Sequence, residues 1–203
     1  MPNPAELWEN RYGASPEYVY GTEPNTFLAD TISETSPEPS DILCIADGEG
    51  RNGVYLASLG HRVTSVDITE AGMAKARALA AERGVQLTTI VADLAEFEFE
   101  PARWDIVVSI FAHTPPPIRA RVHGSMATTL RPGGMLILEA YTPDQVGRGT
   151  GGPPNPQLTM TLDGLRQELT GMTFTHGEEK IRSVVEGPGH TGDGAVVQVI
   201  ATR

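Results

Sequence analysis

Residues 42–53 read ILCIADGEGRNG, an apolar run that leads directly into a glycine-rich turn. An amphipathic stretch follows, and a second strand-like run over residues 61–67, HRVTSVD, ends in Asp67. This order predicts a strand, a turn, a helix and a second strand, the unit with which many α/β domains bind nucleotides. The glycines let the backbone approach a ligand, and an acid about 20 residues after the first glycine can accept hydrogen bonds from a ribose. The pattern therefore predicts an adenosine-type cofactor.

The rest of the chain continues to alternate between strand-like and helix-like segments. Strands are predicted at 41–46, 62–67, 86–91, 104–110 and 134–141, and helices near 4–12 and 25–33 and at 52–59, 70–83, 115–130 and 159–170. Two further strand-like runs, 173–185 and 195–200, have no helix between them and must pair antiparallel. We therefore predict an α/β fold, a Rossmann-like doubly wound sheet of about seven strands with the last strand antiparallel and helices on both faces.

The length favours a single domain over residues 1–203. We expect residues 1–40 to form an N-terminal helical cover. Two loops, 142–157 and 186–194, are rich in glycine and proline. Long loops in a compact domain usually bind or cover a ligand. We therefore assign both loops to the substrate side.

The charge balance limits the possible partners. Against 26 acidic residues stand 15 Lys and Arg, a formal net charge of −11, which argues against nucleic acid and against an anionic membrane surface. The single cysteine, Cys44, excludes an internal disulfide and is expected to be buried. No signal peptide or membrane span is evident, so we expect a cytoplasmic protein, a monomer or homodimer, that acts on a small-molecule substrate without a metal.

The glycine spacing alone satisfies the G-x-G-x-x-G pattern of NAD-binding proteins, so later features must decide the cofactor. An acid and an apolar residue, Asp93 and Leu94, close the third strand, and residues 104–111 supply a fourth strand with an apolar end. Residues 130–134 read LRPGG, a helix end and turn before the fifth strand. With the terminal hairpin, these features favour S-adenosyl-L-methionine (SAM).

The order and spacing of these motifs resemble the class I SAM-dependent methyltransferases. Residues 18–28, 48–52 and 130–134 are similar to the tellurite-resistance (TehB-like) and thiol-methyltransferase branch. The resemblance implies SAM as cofactor and S-adenosyl-L-homocysteine (SAH) as product. The class usually has an acid and a glycine where this chain has Cys44 and Ala46. Either Asp47 replaces that acid, or water and backbone groups do.

The candidate site residues follow from these motifs. We predict a cofactor site made of Tyr20, Asp47, Gly48, Glu49, Gly50, Asn52, Asp67, Ile68, Asp93, Leu94 and Ile110. The candidate catalytic or substrate-binding residues are His113, Tyr141, Arg148 and His190. A histidine has a near-neutral pKa that suits a base, and an arginine can bind a carboxylate in bidentate fashion. For the two aspartates at the turns, Asp47 and Asp93, a helix cap is the alternative role, and His113 could instead be a structural loop residue.

Methyl transfer from a sulfonium is an in-line displacement, in which geometry supplies much of the acceleration. The resemblance implies a sulfur, selenium or tellurium nucleophile as the acceptor. An N-methyltransferase of a small imidazole or amine is the alternative, and a non-catalytic SAM-binding regulator is a further one. An NAD-dependent oxidoreductase is the weakest of these readings.

Overall fold

The computed structural model describes residues 3–203, which form one seven-stranded sheet with helices on both faces. The strands are β1 (Asp41–Ile45), β2 (Arg62–Asp67), β3 (Thr88–Val91), β4 (Trp104–Ile110), β5 (Leu130–Tyr141), β6 (Thr173–Val185) and β7 (Thr191–Thr202). The helices are α1 (Pro4–Gly13), α2 (Thr26–Thr35), α3 (Arg51–Ser58), α4 (Glu70–Glu82), α5 (Pro116–Thr129) and α6 (Leu162–Glu168).

The strand order is β3-β2-β1-β4-β5-β7-β6, and β7 runs antiparallel to both of its neighbours. All other neighbouring strands are parallel. The predicted fold class is therefore confirmed, including the reversed last strand. The reversal follows from the chain itself, because β6 and β7 are joined by a short turn that leaves no room for a crossover helix.

Alternate residues of the central strands pack against different helices. On β1, Ile42 and Cys44 share a buried cluster with residues of α2 and α3, while Leu43 and Ile45 share another with residues of α5 and α6. The first strand is buried along its whole length. Burial on both faces explains why the strands read as continuous apolar runs.

The largest differences from the predicted boundaries occur at β5, α6 and the final hairpin. Strand β5 begins at Leu130 rather than at 134, and irregular pairing with β4 accommodates the Pro-Gly-Gly segment. Helix α6 begins only at Leu162, after a short 3₁₀ turn at Pro156–Leu158. The predicted loop 186–194 shortens to residues 186–190, because residues 191–194 pair with β6 through main-chain groups that even glycines supply.

Parallel strands place all their carboxyl ends at one edge of the sheet, where ligands bind in such folds. The ends of β1, β2, β4 and β5 therefore converge there, and the hairpin turn 186–190 reaches the same edge. Among the helices within residues 3–203, none is long and apolar enough to cross a membrane.

Candidate functional site

The glycine turn, residues 46–50, connects β1 to α3 in a conformation that favours glycine. Gly48 and Gly50 have φ angles of +58° and +84°. A Cβ on Gly50 would lie 2.4 Å from the Cβ of Ala76, so only glycine lets α4 approach the turn. Ala46 also has a positive φ, +49°. The alanine at the class glycine position therefore keeps the glycine-like backbone, with steric strain.

Asp47 points beneath the turn. Its Oδ2 accepts hydrogen bonds from the Ser65 hydroxyl at 2.6 Å and from the Gly53 amide at 3.2 Å. Burial raises the pKa of Asp47 to about 7, although both hydrogen bonds oppose that rise. These contacts place Asp47 against β2 and the first turn of α3, whose N-cap residue is Gly50. Both the cofactor role and the capping role of Asp47 stay predictions.

Asp67 ends β2 and holds the glycine turn against that strand. Its Oδ2 accepts the Gly48 amide at 2.9 Å, and its Oδ1 accepts both the amide and the hydroxyl of Thr69, at 3.0 and 2.7 Å. A carboxylate has about four acceptor positions, so one remains for a ribose hydroxyl. Burial raises the pKa of Asp67. The donor set of main-chain amides beside a buried acid fits the sugar of SAM.

The other predicted cofactor residues fall into two groups. Asp93 is exposed at the end of β3 and accepts the Ala95 amide at 2.8 Å. Leu94 and Ile110 belong to the buried core clusters, and Ile68 is partly buried. Glu49 and Asn52 face the N-terminal cover instead. Glu49 Oε2 accepts the Val19 amide at 2.7 Å, and Asn52 Oδ1 accepts the Asn25 amide at 2.9 Å.

Helix α1 places Tyr12 directly over the glycine turn. A Cβ on Gly48 would lie 2.6 Å from the Tyr12 hydroxyl, and the Tyr12 ring stacks on Trp8 at 5.4 Å between centroids. Burial raises the pKa of Tyr12, and the charge of Asp67 contributes in the same direction. The sequence prediction chose Tyr20 for this cover. The four-residue spacing of Trp8 and Tyr12, which places both rings on one helix face, is the signal that could have indicated Tyr12.

Five rings form an aromatic group beyond the ends of β4 and β5. They belong to Tyr20, Phe111, His113, Tyr141 and His190. Phe111 stacks on Tyr141 at 4.5 Å between centroids and meets His190 edge-on at 4.8 Å. Tyr20 contacts His190 from the cover side at 4.4 Å. Three of the four predicted catalytic residues therefore lie in one group.

The two histidines of this group differ in their hydrogen bonds. His113 Nδ1 lies 2.8 Å from the Leu158 carbonyl, and its Nε2 accepts the Tyr141 amide at 3.3 Å, so the main chain engages both ring nitrogens. His190 Nδ1 and the Tyr141 hydroxyl are buried without a hydrogen-bond partner among residues 3–203. Burial lowers the pKa of His113 to about 4 and that of His190 to about 3, and the Arg51 charge also lowers the latter.

The Gly/Pro loop, residues 142–157, closes over the aromatic group. A Cβ on Gly151 would lie 2.8 Å from His190 Cδ2, and one on Gly152 would lie 2.8 Å from Tyr141 Cδ2. Both glycines have positive φ angles, +108° and +87°. Arg148 of the same loop is exposed and donates to the Asp144 carbonyl at 2.8 Å. Its contacts are therefore within the loop.

A methyltransferase-domain family model matches residues 42–134. The chain is 26% identical over 161 residues to the 2-heptyl-1-hydroxyquinolin-4(1H)-one methyltransferase of Mycobacteroides abscessus, and the alignment covers 70% of this chain and 69% of that protein.

Two solved structures share the whole fold. One was determined in work on the conversion of a disulfide bond into a thioacetal group during echinomycin biosynthesis, with a TM-score of 0.81, 19% identity, and coverage of 99% of this chain and 92% of that one. TehB from Haemophilus influenzae has a TM-score of 0.72 and 19% identity, covering 97% of this chain and 67% of its own. The family-model match over residues 42–134 indicates a SAM-dependent methyltransferase, and the solved structures show that the chain shares the fold of such enzymes.

Proposed function

We propose that this enzyme methylates a small, uncharged organic acceptor at a nucleophilic atom that gives up its proton to His190, with thiol sulfur as the leading class. One observation carries the proposal. Two polar atoms, His190 Nδ1 and the Tyr141 hydroxyl, are buried in a shell of aromatic rings with no partner in the described part of the chain, residues 3–203. Buried polar atoms are nearly always paired, so an unpaired couple at a ligand-binding edge favours a ligand that pairs them.

The charges around the aromatic group favour an organic acceptor over an inorganic oxyanion such as tellurite. The buried side chain of Arg51 is paired with Glu186 at 2.5 Å, and that of Arg182 is paired with Glu139 at 2.7 Å. A buried oxyanion needs unpaired cations or several donors. Both arginines already have carboxylate partners, whereas aromatic walls suit an apolar or planar molecule.

The cofactor would be held at the glycine turn. Asp67 would accept a ribose hydroxyl, the amides of the turn and the Tyr12 hydroxyl would face the methionine end, and Asp93 with Leu94 would lie at the adenine. SAM supplies an activated methyl group when bound. Tyr20 and Tyr12 cover this edge and exclude water from it, because both side chains are largely buried.

His190 suits the proton-accepting role because its imidazole is neutral at physiological pH. Its lowered pKa keeps the ring neutral before the acceptor binds, and Nδ1 accepts the proton in the tautomer that carries its hydrogen on Nε2. A nucleophile that begins to lose its proton places negative charge beside the ring and raises the pKa of His190 again. The Tyr141 pKa is raised by burial, so its phenol stays protonated and can donate a hydrogen bond that orients the acceptor.

The test is a SAM-consumption screen over aromatic and aliphatic thiols, selenols, chalcogen oxyanions and hydroxylated heterocycles, followed by His190→Phe. Phenylalanine keeps the ring contacts and removes both nitrogens, so we expect turnover to fall about 100-fold, the lower end of what a positioned base contributes. His176→Phe is the matched control. His176 lies on β6, packs against Phe27 and also has a buried nitrogen without a partner among residues 3–203. Equal turnover in the two variants, or tellurite as the preferred acceptor, would refute the proposal.

A planar heteroaromatic acceptor, methylated at nitrogen or at a hydroxyl oxygen, is the second candidate. Phe111 and Tyr141 are stacked with only 24° between their planes, an arrangement that a flat ring can extend. The quinolone methyltransferase from Mycobacteroides abscessus acts on such a molecule by its name. Faster turnover of hydroxyquinolones than of any thiol in the same screen would favour this candidate.

A further inference from the structure

We propose that Glu186 is a positioning residue that couples the glycine turn to the hairpin turn, residues 186–190, and so sets the position of His190. The inference rests on the proposed role of His190 and adds the regulation of that site by the cofactor. In this arrangement, binding of SAM or SAH orders the glycine turn and thereby completes the acceptor site.

The side chain of Glu186 is buried between three segments. Its Oε2 accepts the Arg51 guanidinium at 2.5 Å, and its Oε1 accepts Asn25 Nδ2 at 2.9 Å and Arg182 Nη2 at 2.8 Å. Only 2% of the side chain is exposed. A buried charge with this many partners has one low-energy position, because leaving any partner unpaired is costly.

The main chain of Glu186 fixes the turn that carries His190. The Glu186 amide donates to the His190 carbonyl at 2.8 Å, and the His190 amide lies 3.3 Å from the Gly187 carbonyl. The Gly189 amide donates to the Val19 carbonyl at 3.0 Å. A shift of the Glu186 side chain therefore moves the hairpin turn, and with it the imidazole.

The Arg51 end of this ion pair adjoins the glycine turn. Arg51 is the first residue of α3 and directly follows Gly50. Its neighbours Glu49 and Asn52 hold Val19 and Asn25 of the cover. Residues in and directly after the glycine turn thus bind both the cover and, through Arg51, the hairpin turn. We infer that ordering of this turn by a cofactor reaches His190 mainly through the buried Arg51–Glu186 ion pair, the direct side-chain link between the two turns.

If the ion pair had a purely structural role, the expected effect of removing it would be different. Buried ion pairs contribute little net stability compared with apolar residues, and they are best attested as devices that fix one arrangement. If Glu186 only supported the fold, its loss would lower stability but leave the response of the hairpin turn to the cofactor unchanged. An experiment that measures protection of the hairpin turn from hydrogen exchange therefore distinguishes the two roles.

The experiment is hydrogen exchange of the full chain with and without SAH, followed in peptides that cover residues 185–191. In the parent protein we expect SAH to slow exchange there about 10-fold, within the usual range of coupling between sites. In Glu186→Gln we expect SAH still to bind, with its protection of residues 185–191 reduced to less than about twofold. Glu178→Gln, an exposed change on the same hairpin, should retain the parent response.

If Glu186→Gln does not fold, the double variant Arg51→Gln, Glu186→Gln replaces it, because removing both charges leaves Arg182 balanced by Glu139. Full SAH protection of residues 185–191 in either variant, or no protection in the parent protein, would overturn the coupling. None of these measurements needs an acceptor. Normal coupling without turnover of any acceptor would instead count against the proposed function alone.

Discussion

Replacing Asp47 by Asn tests how the glycine turn is built. The carboxylate lies beneath the turn, with Oδ2 accepting both the Ser65 hydroxyl and the Gly53 amide. The amide oxygen of asparagine can accept the same two hydrogen bonds. The substitution therefore removes a buried negative charge while it keeps the local geometry, and the cofactor side of the turn is untouched.

The size of the effect follows from the pKa of Asp47, which burial raises from 3.8 to about 7. A group whose pKa is higher in the folded state stabilises the fold below its unfolded pKa, and this stability is lost as the pH rises through the folded pKa. Each pKa unit is worth about 1.4 kcal/mol. Asp47→Asn should therefore be more stable than the parent by about 4 kcal/mol at pH 8, by about 1.5 kcal/mol at pH 5, and by almost nothing near pH 4.

Urea unfolding followed by tryptophan fluorescence at these three pH values measures the difference. Asp163→Asn is the control, because 86% of that side chain is exposed and its charge should not matter. SAH affinity of Asp47→Asn should stay within about threefold of the parent, or ~0.7 kcal/mol. The reasoning fails if the stability gain is the same at pH 5 and pH 8, or if SAH binding weakens more than about 10-fold.

Three other substitutions probe the turn, its cover and the Gly/Pro loop. Gly152→Ala places a Cβ 2.8 Å from Tyr141 at a φ of +87°, so turnover should fall about 10-fold in steady-state assays while SAH affinity is kept. Ala46→Gly relieves the backbone at φ +49° and should raise the free energy of unfolding by about 0.5–1 kcal/mol in urea titrations. Tyr12→Phe removes the hydroxyl beside Gly48 and should weaken SAH binding about 3- to 10-fold by calorimetry, whereas Gly48 amide contacts remain.

Local patterns in the sequence were sufficient to predict most of the sheet. The bounds of β1, β2 and β4 were predicted to within a residue. Strands β1 and β4 carry a nearly continuous apolar signal because they are buried on both faces, whereas β2 was found from its place between the two helices. The reversed strand followed from the missing helix before residues 195–200. The glycine turn was equally visible, since its backbone needs glycine at fixed positions.

Contacts between distant segments could not be predicted in this way. Glu139 lies near the carboxyl end of β5 with no exposed side-chain surface, in a run that is otherwise apolar. It is tolerated because Arg182, Asn25 and Gln198 supply its hydrogen bonds, and these residues lie between 43 and 114 positions away in the chain. No local pattern records such a pairing, so the connection from Arg51 to His190 became visible only in the structure.

The sequence also could not distinguish the environments of His113 and His190, because these depend on contacts between distant segments. His113 and His190 both follow strands and both face the same edge, so sequence reasoning favoured His113, which comes directly after β4. The Leu158 carbonyl and the Tyr141 amide occupy the nitrogens of His113, and these partners come from a loop and a strand that the sequence could not bring together. The free Nδ1 of His190 is a property of the assembled site.

Two of the four non-glycine residues with positive φ angles among residues 3–203 lie at this edge. Ala46 and Phe111, which directly follow the adjacent strands β1 and β4, have φ angles of +49° and +53°, a region that residues with a Cβ rarely adopt. Strained residues persist where the surroundings hold them, and they are often found at ligand sites. Here the Phe111 ring packs against the rings of Tyr141 and His190, which carry the two polar atoms without partners among residues 3–203. Relaxing the backbone at Phe111 would therefore move the wall of the proposed acceptor site.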